Sequence, residues 1–179
     1  MPREPHPDPA PNAPKAPDRS AAVGPGGAPA GDAGASRPVR IAAAALLRDG
    51  PRGPEVLIAR RHPDAVRGGL WEYPGGKLAS GETAAEAAAR ELLEETGIKV
   101  DAASGVEVAR AAHEDRELQR ERAISIVLVR FPCPAGAQPR PLAAAECRWE
   151  LVSGLEAYDW PAVNRPLNAA LRAWVERGR

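Results

Sequence analysis

Apolar positions along this chain recur with two different periods, and the change of period marks out its elements. Val39 to Leu47 is a continuous apolar, alanine-rich run. Helix propensity alone would allow a helix there, but Asp49-Gly50-Pro51-Arg52-Gly53-Pro54 follows as a turn-rich connector and leads into the β-branched run Val56-Leu57-Ile58. Two runs joined in this way predict a strand hairpin. Trp71-Glu72-Tyr73-Pro74 predicts a short extended piece that stops at Gly75-Gly76. The period then becomes helical. Ala85, Ala88, Ala89, Leu92 and Leu93 form one stripe of a helix from about Thr83 to Thr96, with Glu82-Thr83 at its start and Gly97 as a left-handed stop. Past Val100 come a strand around Val106 to Ala112, a charged loop from Glu114 to Glu121 and a strong strand from Ala123 to Phe131. Pro132 to Ala145 reads as a loop and Arg148 to Val152 as a short strand. Leu167, Leu171 and Trp174/Val175 stand at helical spacing in a last helix, which begins at Ala162 or Pro166 and ends near Val175. Strands with one internal and one terminal helix predict an α+β fold, a mixed sheet layered between helices (αβα).

Residues 1–37 break with this pattern. They hold nine prolines among Ala, Gly and Asp, and Val23 is the only large aliphatic after Met1. Such a stretch cannot bury enough apolar surface to offset its ordering entropy, so a disordered extension is expected, with one domain over 38–179. It has no continuous apolar core, so neither a signal peptide nor a membrane span is predicted.

Charge narrows the partners. The 179 residues carry 24 basic and 24 acidic side chains. That balance lacks the basic footprint of a protein that binds a nucleic-acid polymer, while a small anion held through a metal stays compatible. No obligate protein partner is indicated. Cys133 and Cys147 have no metal-ligand spacing. They read as reduced thiols, Cys147 as a small apolar residue of a strand, and the expected compartment is the cytoplasm.

The candidate chemistry lies on the internal helix. Glu91, Glu94 and Glu95 stand at i, i+3 and i+4, so three carboxylates share one face within about one turn. Like charges packed this way repel and give a helix nothing. A hard divalent cation, Mg²⁺ or Mn²⁺, makes the arrangement favourable, because both prefer oxygen ligands.

The spacing around these acids, Gly76-x5-Glu82-x7-Arg90-Glu91-Leu92-x-Glu94-Glu95-x-Gly97-Ile98, resembles the signature of the Nudix hydrolases at every fixed position. The flanks are similar to the MutT type of that family. They are Ala59-Arg60-Arg61, Leu70-Trp71-Glu72-Tyr73-Pro74-Gly75-Gly76-Lys77, Arg148-Trp149 and Asp159-Trp160-Pro161-Ala162-Val163-Asn164-Arg165-Pro166. The resemblance covers about residues 38–177 and implies a mixed sheet between helices. It implies a metal site of Gly75 through its carbonyl, Glu91 and Glu95, with Glu94 a ligand or the general base. Arg90 would orient the neighbouring glutamate through a paired hydrogen bond. Arg61 and Arg122 match residues that contact phosphate and base, with Lys77, Gly76 and Tyr73 beside them as substrate contacts. Asn164 carries both an amide donor and an acceptor and aligns with the asparagine that reads the purine, although its place before Pro166 also suits a helix cap.

One position departs from that pattern. A further acid often stands about six residues before the tryptophan of the later strand, and Ala143 occupies that slot here. Glu146, or an acid between Glu114 and Glu121, is the alternative. The activity implied is Mg²⁺-dependent hydrolysis of (deoxy)nucleoside triphosphates to a monophosphate and pyrophosphate, in nucleotide-pool sanitation, on 8-oxo-dGTP or another (d)NTP such as a cytidine nucleotide. The alternative within the family is another nucleoside diphosphate derivative: a nucleotide sugar, ADP-ribose or a dinucleoside polyphosphate. A recognition module without hydrolysis is the third reading, and the presence of Glu91, Glu94 and Glu95 weighs against it.

Overall fold

A computed structural model of the chain describes residues 38–115 and 122–178. The expected extension over 1–37 and the loop acids of 116–121 lie outside the described residues. The elements run β1 (Val39–Gly50), β2 (Gly53–Arg60), β3 (Trp71–Glu72), β4 (Gly75–Lys77), α1 (Ala84–Thr96), β5 (Val106–Asp115), β6 (Arg122–Pro132), β7 (Glu146–Leu151) and α2 (Arg165–Arg177). Single 3₁₀ segments at Ala102–Ser104, Val152–Ala157 and Ala162–Asn164 join them. The fold is α+β, and the seven strands form one mixed sheet: five follow the order β3-β2-β1-β6-β5, β4 pairs with β1, and β7 pairs with β2. β1 and β6 run parallel, and the other pairs are antiparallel.

Strand periodicity explains the layers. On β1, Ala43, Ala45 and Leu47 point into one core with α2, and Ala42, Ala44 and Leu46 point into another with α1. β6 repeats this with Ile124, Ile126 and Leu128 against Val127, Val129 and Phe131. A sheet buried on both faces needs unbroken apolar runs, which is why these strands do not alternate with polar residues. Leu46, Leu92 and Phe131 are fully buried, each worth about 2 kcal/mol relative to exposure.

The expected hairpin forms, but its turn is tighter than the connector suggested, with Gly50 opposite Gly53. Its ladder is also short. It ends at Leu47 opposite Val56, and beyond that β1 and β2 diverge. The segment 71–77 fills the fork. Its start pairs with β2 (Trp71 opposite Arg60), its end pairs with β1 (Gly75 opposite Ala43), and Ala44 N–H donates to the Pro74 carbonyl at 2.7 Å between them. The extended piece therefore does not stop at Gly75-Gly76 as the sequence suggested. Those glycines begin β4.

α1 is built by local signals. Thr83 accepts from Glu86 N–H at 3.2 Å, Glu86 accepts from Thr83 N–H at 2.9 Å, and Gly97 ends the helix at φ 73°. Its buried stripe is rotated from the expected one: Ala87, Ala88, Leu92 and Thr96 are buried, while Leu93 is 42% exposed and Ala85 and Ala89 are only half-buried. The i, i+4 row Ala88-Leu92-Thr96 faces the sheet, so Leu93 turns to solvent. β5 runs past the expected end at Ala112 to Asp115, and β7 starts at Glu146 and ends at Leu151. α2 starts at Arg165, after the 3₁₀ turn, and buries Leu167 and Leu171 as expected. Cys147 does lie in a strand, where burial pushes its thiol up. No helix among the described residues is long and apolar enough to cross a membrane.

Candidate active site

The acidic face of α1 is organised by one arginine. Arg90 donates through Nε and a terminal nitrogen to both oxygens of Glu82, at 2.9 and 3.0 Å, and through the other terminal nitrogen to Glu91 Oε1 at 2.7 Å. It also donates to the Lys77 carbonyl at 3.2 Å, which ties β4 to α1. The paired hydrogen bond expected between Arg90 and its neighbour thus goes to Glu82, and Glu91 receives a single one. A fork-on-carboxylate contact of this kind fixes orientation as well as charge. Glu94 stands 3.5 Å from Arg90 with its side chain 57% exposed, the most loosely held of the three acids.

β4 lies against this face. Gly75 N–H donates to Glu95 Oε2 at 3.1 Å. A Cβ on Gly76 would collide with Glu91 Oε1, and one on Gly75 would sit 2.5 Å from the Ala42 carbonyl. Gly75 is therefore required by its approach to the neighbouring strand, whereas a side chain at Gly76 would displace the flexible Glu91 carboxylate. Burial raises the Glu95 carboxyl to about 7, and the negative charge of Glu72 adds to the shift, while the Gly75 N–H pulls it back. Among the described residues, no three Asp, Glu, His or Cys side chains converge as a ready metal cage. The donor set still fits a hard cation. Glu91 and Glu95 are carboxylates pressed onto one strand, and Glu95 is crowded by Glu72 and Glu91, so added positive charge would relieve their repulsion.

On the other side of β4 is a cavity of about 450 Å³. Its apolar floor includes Ile41, Ala43, Ile124 and Ile126 from the parallel pair β1/β6. Arg61, Tyr73, Gly76, Lys77 and Asn164, all predicted substrate contacts, line it together. Arg122 opens β6, and its side chain lies outside the described residues. Asn164 is buried and occupies the N-cap position of α2, as its place before Pro166 suggested, but its side chain makes no capping bond. Tyr73 is 2% exposed, with its ring centroid 5.1 Å from that of Trp160.

Glu72 escaped the sequence reading, although the alternation Trp71-Glu72-Tyr73 sets it on the opposite side of the strand from the two rings. It lines the cavity and accepts two hydrogen bonds from one terminal nitrogen of Arg61, at 2.9 and 2.7 Å. Burial raises its carboxyl, against the pull of Arg61. Arg61 is therefore already engaged by Glu72, and by the Val66 carbonyl at 2.7 Å. Val66 and Arg67 also line the cavity from a loop that carried no signal in the sequence. Glu146, one alternative for the missing acid, is paired with Arg148 on β7 and lines no part of the cavity.

A mixed sheet between two helices, with an Arg-Glu-Glu cluster on the inner helix clasping a glycine strand, defines the class. Residues 38–175 match the NUDIX domain, and the chain belongs to that family, as a Nudix hydrolase. Within it the likeness is to the MutT type. The chain is 33% identical over 118 residues to the 8-oxo-dGTP diphosphatase of Escherichia coli, covering 66% of this chain and 86% of that one. It is 49% identical over 65 residues to an octanoyltransferase of Myxococcus xanthus, a match that spans 35% of this chain and only 17% of that protein. Its fold is similar to the solution structure of the E. coli ORF135 protein, with a TM-score of 0.61 and 27% identity over 75% of this chain and 89% of that one.

Proposed function

We propose that the protein hydrolyses (deoxy)nucleoside triphosphates to a nucleoside monophosphate and pyrophosphate with Mg²⁺, and that an oxidised purine nucleotide such as 8-oxo-dGTP is its preferred substrate, in cytoplasmic nucleotide-pool sanitation. The observation that carries this reading is the shared strand. Gly75–Lys77 has the carboxylates of α1 on one side and, on the other, a cavity of about 450 Å³, roomy enough for a nucleoside, with the Asn164 amide in its wall unpaired among the described residues. The MutT-type relative supports the choice of substrate class.

Glu91, Glu95, Glu94 and the Gly75 carbonyl would hold the ion, with Mn²⁺ as a possible substitute on the same oxygens. When bound, Mg²⁺ neutralises phosphate charge and acidifies a coordinated water. The chain's own groups do the rest. Arg90 clamps Glu82 and Glu91, so that the carboxylate facing the substrate is held before binding. Lys77 offers a cation to the phosphates at the mouth of the cavity, and Asn164 can donate to and accept from a base edge. The water oxygen bonds to one of the two phosphorus atoms flanking the α–β bridge. The bridging P–O bond breaks, and the water proton passes to a carboxylate. Glu94, loosely held and exposed, is the group free to take it.

The test is a steady-state screen of the purified chain with Mg²⁺ against the ordinary (d)NTPs, 8-oxo-dGTP, ADP-ribose and diadenosine polyphosphates, reading pyrophosphate and phosphate separately. The expected result is pyrophosphate released fastest from 8-oxo-dGTP, falling by about 10³-fold in Glu94→Gln. Faster turnover of cytidine nucleotides would keep the reaction and change the base. Cleavage of ADP-ribose with silence on every (d)NTP would overturn the proposal.

A further inference from the structure

Asn168 lies one turn beyond Asn164 on α2, is 3% exposed, and sits between Leu167 and Leu171, both fully buried. An apolar residue would suit that place in the helix stripe, and an amide buried there is costly unless its groups are bonded. All of them can be. Oriented so that both its groups are bonded, the amide donates from its nitrogen to Tyr73 Oη at 2.7 Å and to the Asn164 carbonyl at 3.2 Å, and its oxygen accepts at 3.3 Å from the Trp160 indole N–H, which also donates to the Leu155 carbonyl at 2.7 Å. Each partner belongs to the wall of the cavity or backs it. Tyr73 lines the cavity, and Trp160 packs on the Tyr73 ring. Asn164 lines it too, and its backbone N–H is held in turn by the Pro161 carbonyl at 2.9 Å. The Asn164 side-chain amide, by contrast, has no hydrogen-bond partner among the described residues.

We infer that Asn168 is a positioning residue for the base site: it never touches the substrate, but it ties the Tyr73 wall, the Trp160 ring behind it and the Asn164 reader into one rigid unit. The inference rests on the reading above that this cavity receives the nucleobase. Holding Asn164 by its carbonyl sets the direction of its side chain before the base arrives, so the ordering cost is met in folding rather than in binding. Loss of Asn168 should then weaken substrate binding while leaving the carboxylate chemistry on α1 intact.

Three variants separate this role from a purely structural one, with kcat and KM measured on the best triphosphate of the screen alongside Tm. Asn168→Leu should raise KM about ten-fold and change kcat by less than about two-fold, and should lower Tm, because the Tyr73 hydroxyl is left unbonded. Tyr73→Phe/Asn168→Leu replaces both partners with apolar groups, so Tm should recover while KM stays raised. Asn168→Asp keeps the size but exchanges the nitrogen donor for a carboxyl oxygen and brings an acidic group into a buried place, so it should raise KM in the same direction and lower Tm. KM returning to the wild-type value together with Tm in the double variant would overturn the inference and leave the triphosphatase reading standing. No turnover of any nucleoside triphosphate by the wild-type chain would remove that reading and the inference with it.

Discussion

The two helices are each 13 residues long, and they are made in opposite ways. α1 carries its own start and stop: the Thr83/Glu86 capping box and left-handed Gly97. α2 has no side-chain cap, begins on a 3₁₀ turn with Pro166 near its start, and is held by Leu167 and Leu171 in the core. α1 carries its polar chemistry in charged side chains on the face toward β4, where Arg90 holds Glu91 and Glu94 and reaches Glu82 just before the helix. α2 keeps its polar chemistry inside, in the buried amides of Asn164 and Asn168. Charged groups that meet at the edge of the helix, such as the exposed Glu94, can be rearranged at less cost in fold stability than a fully buried amide that is part of the packing. Changes on α1 should therefore register in catalysis, and changes on α2 in stability and affinity.

The largest expected effect tests the α2 half. Leu171→Ala should cost about 3 kcal/mol of unfolding free energy, measured by urea titration, because a fully buried side chain leaves a cavity. A loss below about 1 kcal/mol would mean that α2 is not held by its core contacts. Next, Gly76→Ala should lower kcat by about 10²-fold with little change in Tm. Its Cβ collides with Glu91 Oε1, the end of a flexible side chain that can swing away, so the carboxylate is lost to the site while the strand survives. Equal losses of stability and activity would erase the contrast between the helices.

The third effect depends on pH. Glu95 has a folded carboxyl raised from 4.5 to about 7, so the folded chain holds a proton there that the unfolded chain releases. Stability of the metal-stripped protein should therefore fall as pH rises from 4.5 to about 7, by about 2 kcal/mol after discounting for partial exposure. Glu95→Gln should flatten that slope, leaving the share contributed by Glu72, whose carboxyl burial also raises. An unchanged slope would show that Glu95 is not the crowded group. The smallest effect is on the cap: Thr83→Ala should cost about 1 kcal/mol, read as a lowered Tm, with kcat nearly unchanged.

Much of the site was legible because its acids are neighbours on one helix. Glu91, Glu94 and Glu95 share a face by spacing alone, and the resemblance added Arg90, Gly75 and the contacts Arg61, Tyr73, Gly76, Lys77 and Asn164. What escaped depends on distant partners. Glu72 looked like part of a short strand, and only the Arg61 fork and the nearness of Glu95 reveal its place. Gly75-Gly76 read as a stop because two glycines are a turn signal, yet the gap between β1 and β2 makes them a strand. Leu93 matched a helical stripe, but the orientation of α1 on the sheet selected the row through Leu92 instead.

The sequence by itself determined α1 and its acidic face, since the bonds that make them join residues within a turn. The tertiary structure decided the fork that admits β4, the cavity beside it and the direction of Asn164. Those depend on contacts such as Tyr73 with Asn168, 95 residues apart, which only packing brings together. Local spacing encodes which groups share a face, and only the closed sheet encodes what that face meets.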